Sequence, residues 1–171
     1  LFRLATLLCS VPVSRGFGRR MRYVVIDRYN NKLMGLFALG DPVFNLQVRD
    51  KWIGWDVRDR EERLVNVMDA YVLGAVPPYS QLLGGKLIAS LVGSAEVSNQ
   101  FELKYGEKQG IISGEVKSAR LVLVTTTSAL GRSSLYNRLK IPGMLEYQKL
   151  GTTSGYGHFH ISEAIFEDLR R

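Results

Sequence analysis

Cysteine is nearly absent: Cys9 is the only one among 171 residues. A disulfide within the chain is therefore excluded, which fits a reducing cytoplasm. Cys9 has no His or Cys cluster around it with which to hold zinc, and a small apolar role in the interior is expected for it. Histidine is scarce too. His158 and His160 are the only two, so a histidine base must be one of them. No carboxylates pair in a metal-binding or glycosidase arrangement, and no metal is expected. No stretch approaches the roughly 20 apolar residues of a membrane-spanning helix, so no membrane partner is expected. The apolar run Leu4 to Val13 is short and Pro12 interrupts it. Because the first residue is Leu1, the chain is expected to begin inside a longer protein, with residues 1–14 ending an upstream element and 15–171 forming a single domain. There is no internal repeat and no low-complexity tract.

Acidic side chains are outnumbered, 16 Asp and Glu against 23 Lys and Arg, a net charge of +7. An excess of positive charge favours anionic partners such as nucleic acid or phosphorylated ligands. Four arginines, Arg15, Arg19, Arg20 and Arg22, crowd the segment RGFGRRMR with Phe17 inside it and Tyr23 after it. Arginine binds phosphate bidentately and aromatics stack on bases, so this segment is a candidate for binding DNA or RNA. A solvated loop is its plainer use.

Hydrophobic periodicity predicts strands at Met21–Tyr29 and Lys32–Leu39 joined by a two-residue turn at Asn30-Asn31. Residues 43–56 look irregular. Asp56 is expected to cap a helix to about Val67, with Leu64, Val67 and Met68 on its buried edge. A buried strand follows at Ala70–Val76, stopped by Pro77-Pro78. Gly84 and Gly85 open a helix to about Val92 with Leu83, Leu87, Ile88 and Leu91 as its apolar positions. Ser94 caps the next helix, which carries Val97, Phe101 and Tyr105 and stops at Gly106. Then come a strand at Ala119–Thr125, a short helix at Ser133–Leu139, strands near Met144–Leu150 and Gly157–Ile161, and a helix with Ile165, Phe166 and Leu169 inward. Alternating strands and helices indicate an α/β fold with a mixed central sheet and flanking helices.

The segment AYVLGAVPPYSQLLGGKLIASL places a glycine turn between a strand and a helix N-terminus, where free backbone N–H groups can hold phosphate. The candidate cofactor residues here are Val76, Gln81, Leu83, Gly84, Gly85 and Lys86, and a bulky residue at Gly84 is expected to block the loop. Packing is the commoner use of such glycines. The segment is similar to the pyrophosphate loop of the GNAT acyltransferases, Gln/Arg-x-x-Gly-x-Gly/Ala: Gln81 and Gly84 match, and Lys86 replaces the small residue. GRSSLYNRL resembles the helix after the fifth strand of those enzymes. There Tyr136 corresponds to the general acid that protonates the departing thiolate, and Asn137 is a cofactor contact. The resemblance implies a GNAT-like fold and an acyl-CoA cofactor. His158 and His160, at i and i+2 on one strand face, and Asp69 are the candidate general bases. Structural roles are the commoner fate of such residues.

Four segments, LMGLFALGDPVFNLQVRDKWIGW, MDAYVLGAVPPYSQLLGGKLIASL, LVLVTTTSALGRSSLYNRLK and LGTTSGYGHFHI, resemble the Druantia A family of a bacterial antiphage defence system, over roughly residues 18–170. This implies other defence-system subunits as partners and a cytoplasmic place of action. Two readings stay open. One is an acyl-CoA-dependent acyltransferase or a degenerate descendant. The other is a non-catalytic nucleic-acid-binding module using the arginine run and the Trp52/Trp55 segment.

Overall fold

The structure is a computed structural model that describes residues 1–9, 11–13, 17–107, 114, 118–128, 131, 133–152, 161 and 163–170, with only the backbone at Glu163 and Ala164. Its centre is a four-stranded sheet in the order β1-β2-β3-β4. These strands are Arg20–Asp27, Lys32–Gly40, Val67–Ala75 and Leu123–Thr125. The first three are antiparallel and β4 runs parallel to β3, so the sheet is mixed.

Asp27 pairs with Lys32. The first hairpin therefore closes through four residues, 28–31, and not through the expected two. The longer turn is held by local bonds. The Asn31 N–H donates to the Asp27 carbonyl at 2.7 Å, the Tyr29 N–H to Asp27 Oδ1 at 2.9 Å and the Lys32 N–H to Asn30 Oδ1 at 3.0 Å. Asn31 takes the left-handed conformation, φ 60°, which asparagine tolerates better than most residues.

One face of the sheet presents Met21, Phe37, Leu39, Met68 and Ala70. They pack against Ile88 of helix α4 (Gly84–Leu91) and Val97 and Phe101 of helix α5 (Ala95–Tyr105). The alternation of apolar side chains along each strand sends these residues to a common face. Gly35 lets α4 lie close: a Cβ there would come within 2.7 Å of both the Gly74 carbonyl and Ile88. The opposite face carries Leu36, Ala38, Val72 and Val76, covered by Ala5, Phe2 and Cys9 of the segment around α1 (Phe2–Ala5). Cys9 is only half-buried, and that burial raises its thiol pKa.

Residues 43–56 are not irregular. They contain helix α2, Gln47–Ile53, which ends on Gly54 in the left-handed conformation at φ 85°. Its sequence hides the reason: Arg49 and Asp50, which read as solvated charges, are both buried. Arg49 Nε donates to Asp50 Oδ1 at 2.8 Å, its Nη1 and Nη2 donate to the carbonyls of Val43 and Phe44, and Arg60 Nη1 meets Asp50 Oδ2 at 3.0 Å. Helix α3, Val57–Arg63, has the expected Asp56 cap, in a full capping box with Asp59. It stops four residues early, because Val67 and Met68 are buried in β3 and not on a helix edge.

The second half differs more. Only Leu123–Thr125 of the expected Ala119–Thr125 strand is paired, and 134–138 form turns instead of a helix. Strand β5, Lys140–Ile141, pairs with β6, Leu145–Glu146, in place of one strand over Met144–Leu150. The expected strand at Gly157–Ile161 lies outside the described residues apart from Ile161, which is not in a strand. Helix α6, Glu163–Arg170, is present, but Ile165, Phe166 and Leu169 are exposed and not inward. Leu83 and Leu87, expected on the apolar side of α4, are exposed as well. Among the described residues no helix is long and apolar enough to cross a membrane.

Candidate functional site

Strands β3 and β4 pair only at Val67–Leu123, Met68–Val124 and Asp69–Thr125. Beyond that point β3 continues to Ala75, whereas β4 ends at Thr125. Each strand leads into a segment at the same end of the sheet, the carboxyl end of the parallel pair, where open α/β sheets place ligands.

Those two segments meet in a cleft of about 540 Å³. Ser80, Gln81, Leu83, Gly85 and Lys86 line it from the turn after β3, and Ser134, Leu135, Asn137 and Arg138 from the turns after β4. Five of the seven candidate cofactor residues therefore gather in one place from two distant stretches of sequence. Gly84 lies beneath the lining, buried, and a Cβ on it would meet the Tyr79 carbonyl oxygen at 2.5 Å. A tryptophan there would disturb the loop itself before it touched any ligand. Gly85 admits the second segment: its Cβ would stand 2.8 Å from Leu135 Cδ2. Val76 belongs to the apolar core on the far sheet face.

Helix α4 begins at this cleft without a side-chain cap. The positive end of its dipole lies at this cleft, and the Lys86 N–H is bonded to the Leu83 carbonyl at 3.1 Å. The residue before it, Leu83, is exposed and left-handed at φ 62°, a conformation costly for a leucine. Lys86 and Arg138 supply the full charges of the lining, both positive. The site is suited to an anion.

Tyr136 stands beside the lining residues, stacked on Tyr147 with ring centroids 5.4 Å apart. Burial raises its phenol pKa, and a hydrogen bond with the Thr126 side chain opposes the shift. Thr126 in turn donates to the Ala70 carbonyl at 3.0 Å. Asp69 sits within β3 and accepts a bond from Thr125 Oγ1 at 2.8 Å. Desolvation raises its pKa, while Thr125 and the charge of Arg20 pull it down. Tyr136 and Asp69 are held by the adjacent threonines Thr126 and Thr125, but on opposite faces of the sheet: Met68 and Ala70 point toward α4, so Asp69 between them points the other way, level with Arg20.

His158, His160 and Arg15 lie outside the described residues. The rest of the arginine run is at the opposite end of the sheet and divides by fate. Arg19 turns inward: it pairs with Asp41, donates to the carbonyls of Val65 and Val67, and lies over the rings of Phe101 and Tyr105. The Arg20 guanidinium sits 4.5 Å from the centre of the Tyr71 ring, and its backbone is bonded by Tyr105. Arg22 is exposed. Tyr23 stacks on Phe37 inside the core. Trp52 is exposed on α2, whereas Trp55 is partly buried under Arg49. Among the described residues no three His, Cys, Asp or Glu side chains gather as metal ligands.

Sequence reasoning passed over Ser80, Ser134, Leu135 and Arg138 in the lining. Arg138 carried one available signal, a positive charge next to Asn137. Comparison with known proteins agrees with the Druantia A resemblance in the sequence. A profile of the Druantia protein DruA family matches residues 1–171. Druantia protein DruA of Escherichia coli (strain UMEA 4076-1) is 59% identical over 170 residues, which cover 99% of this chain and 42% of that relative. The chain thus spans less than half the length of the curated relative it matches. No solved structure matches it. The chain belongs to the Druantia protein DruA family.

Proposed function

We propose that this chain serves a Druantia-type antiphage defence system, beside other subunits of that system, as a GNAT-like domain that binds an acyl-CoA. One observation carries the reading. The cleft at the carboxyl ends of β3 and β4 draws together Gln81, Leu83, Gly85, Lys86 and Asn137 around an uncapped helix start. Its volume lies within the range of roughly 300–1,000 Å³ usual for small-molecule sites. The pyrophosphate would rest on the first turn of α4, with Lys86 and Arg138 neutralising its charge. The pantetheine arm would run toward the parting of β3 and β4.

Acyl transfer needs an acid and a base there. Tyr136, with its raised pKa, keeps its proton at neutral pH and would give it to the departing thiolate. Asp69 lies on the other sheet face, level with Arg20, so the proton of the acceptor's attacking nucleophile would pass to water. The carbon–sulfur bond of the thioester breaks as the acyl carbon bonds to that nucleophile.

A thermal-shift titration with acetyl-CoA at physiological salt tests the reading. At about 100 times its dissociation constant the ligand should stabilise the fold by roughly 2.7 kcal/mol. Lys86→Glu should abolish the shift in a protein that still melts cooperatively. Tyr136→Phe should keep the shift and lower any acyl-transfer rate by about 10²- to 10⁴-fold. A folded protein that does not respond to acetyl-CoA would refute the proposal.

A further inference from the structure

The hairpin tip between β1 and β2 carries an exposed aromatic side chain between two exposed cations. Tyr29 is 99% exposed, with Arg28 beside it and Lys32 three residues on, both exposed. A fully solvated tyrosine on a loose loop would mean little. This tip is fixed from both sides. Tyr79 Oη donates to Asp27 Oδ2 at 2.7 Å and accepts from Asn30 Nδ2 at 2.7 Å. The hydrogen bond from Tyr79 lowers the Asp27 pKa and keeps it charged. The side chain of Asp27 also fixes the Tyr29 N–H, and that of Asn30 fixes the Lys32 N–H.

Tyr79 also places the tip. It directly precedes Ser80 and Gln81 on the cleft wall, and β2 begins beside the end of β3, with Gly35 opposite Ala75. Arg28, Tyr29, Lys32, Lys86 and Arg138 therefore share one end of the sheet. Five side chains hold four positive charges and an aromatic face, opposed by Asp27 alone among the residues that fix the tip. A rim of cations with an exposed ring on a hydrogen-bonded backbone is what a sugar–phosphate backbone with unstacked bases requires. The phosphates meet the cations, and a base stacks on the ring whatever its identity.

We infer that the β1–β2 hairpin tip, with the neighbouring cleft rim, binds single-stranded nucleic acid, with Tyr29 as the stacking platform and Arg28 and Lys32 as phosphate contacts. This surface lies at the opposite end of the sheet from the arginine-rich segment that the sequence brings forward. Tyr29, Arg28 and Lys32 lie outside the cleft lining, so these contacts do not rest on the acyl-CoA reading, although Lys86 and Arg138 are shared with it.

The test is fluorescence anisotropy of a labelled oligothymidylate with the whole 171-residue chain, titrated at several salt concentrations. Binding should weaken steeply as salt rises, because phosphate contacts release counterions. Tyr29→Ala should weaken it about five-fold or more, and Tyr29→Phe should restore it, since stacking needs the ring and not the hydroxyl. Arg28→Glu should weaken it further and lower the salt dependence. Arg58→Glu, the same change of charge on exposed α3 at the other end of the sheet, should have little effect. Tyr29 touches solvent almost everywhere, so its variants should melt as the parent does. Three results would each overturn the inference: no binding at low salt, equal losses in Arg28→Glu and Arg58→Glu, or a Tyr29→Ala variant that binds as the parent does. Equal affinity for poly-glutamate would also overturn it, assigning the surface to acidic protein.

Discussion

Asp69 illustrates how a neighbour decides the chemistry of a residue. In sequence it is one carboxylate ahead of an apolar run. In the fold it is largely desolvated on β3, held by Thr125, and its pKa is raised. The folded state therefore holds the Asp69 proton more tightly than the unfolded chain does. Stability from this group is fully present below the unfolded value of about 4 and is lost as pH rises through the folded value. Asp69→Asn keeps an oxygen for Thr125 and removes the titration. Melting curves of parent and variant across the acid range should show the variant gaining on the parent as pH rises. Parallel curves would refute the burial of a titrating charge at this position.

At the scale of elements, the α2–α3 unit is held by charge where the sequence suggested a solvated connection. Asp50 accepts from Arg49 and Arg60 at once, and Arg49 also satisfies the carbonyls of Val43 and Phe44. Burying such a network contributes little net stability, but removing one partner leaves the others buried without it. Asp50→Ala should therefore cost about 3–5 kcal/mol, the range for breaking a buried pair. Chemical denaturation is the measurement, and a loss below about 1 kcal/mol, the worth of an exposed pair, would mean the network is solvated. The α4 entry teaches a related point. Periodicity located the helix, but Leu83 and Leu87 face solvent, because Gly84 and Gly85 seat the helix start tightly against Tyr79 and Leu135.

For the whole molecule, the spacing between sheet and helix layer joins stability to the cleft. Gly35 brings α4 against β2, and the same helix supplies Gly85 and Lys86 to the site. Gly35→Ala would push a methyl into the Gly74 carbonyl and Ile88, at a cost of roughly 1–3 kcal/mol. A fall in Tm of about 2–4 °C for each kcal/mol should follow. Ligand binding at the cleft should weaken in parallel, although residue 35 is not in its lining. Unchanged affinity in a destabilised variant would show that the helix start is positioned locally, by Tyr79 and Leu135.

Much of the first half was legible because local rules govern it. The β1–β2 hairpin, the Asp56 and Ser94 caps, the central strand and helices α4 and α5 follow from periodicity and capping. The candidate residues of the β3–α4 turn and Asn137 were also legible as separate motifs. That they form one cleft was not, because only the parallel pairing of β3 with β4 sends both connections to the same end of the sheet. The arginine run shows the converse. Four charges in eight positions look like a solvated binding segment, yet Arg19 spends its hydrogen bonds on Asp41 and on carbonyls more than 40 residues away. Charge is written in the sequence, but whether a guanidinium meets solvent or the protein's own carbonyls depends on contacts between distant residues, and only the tertiary structure determines those.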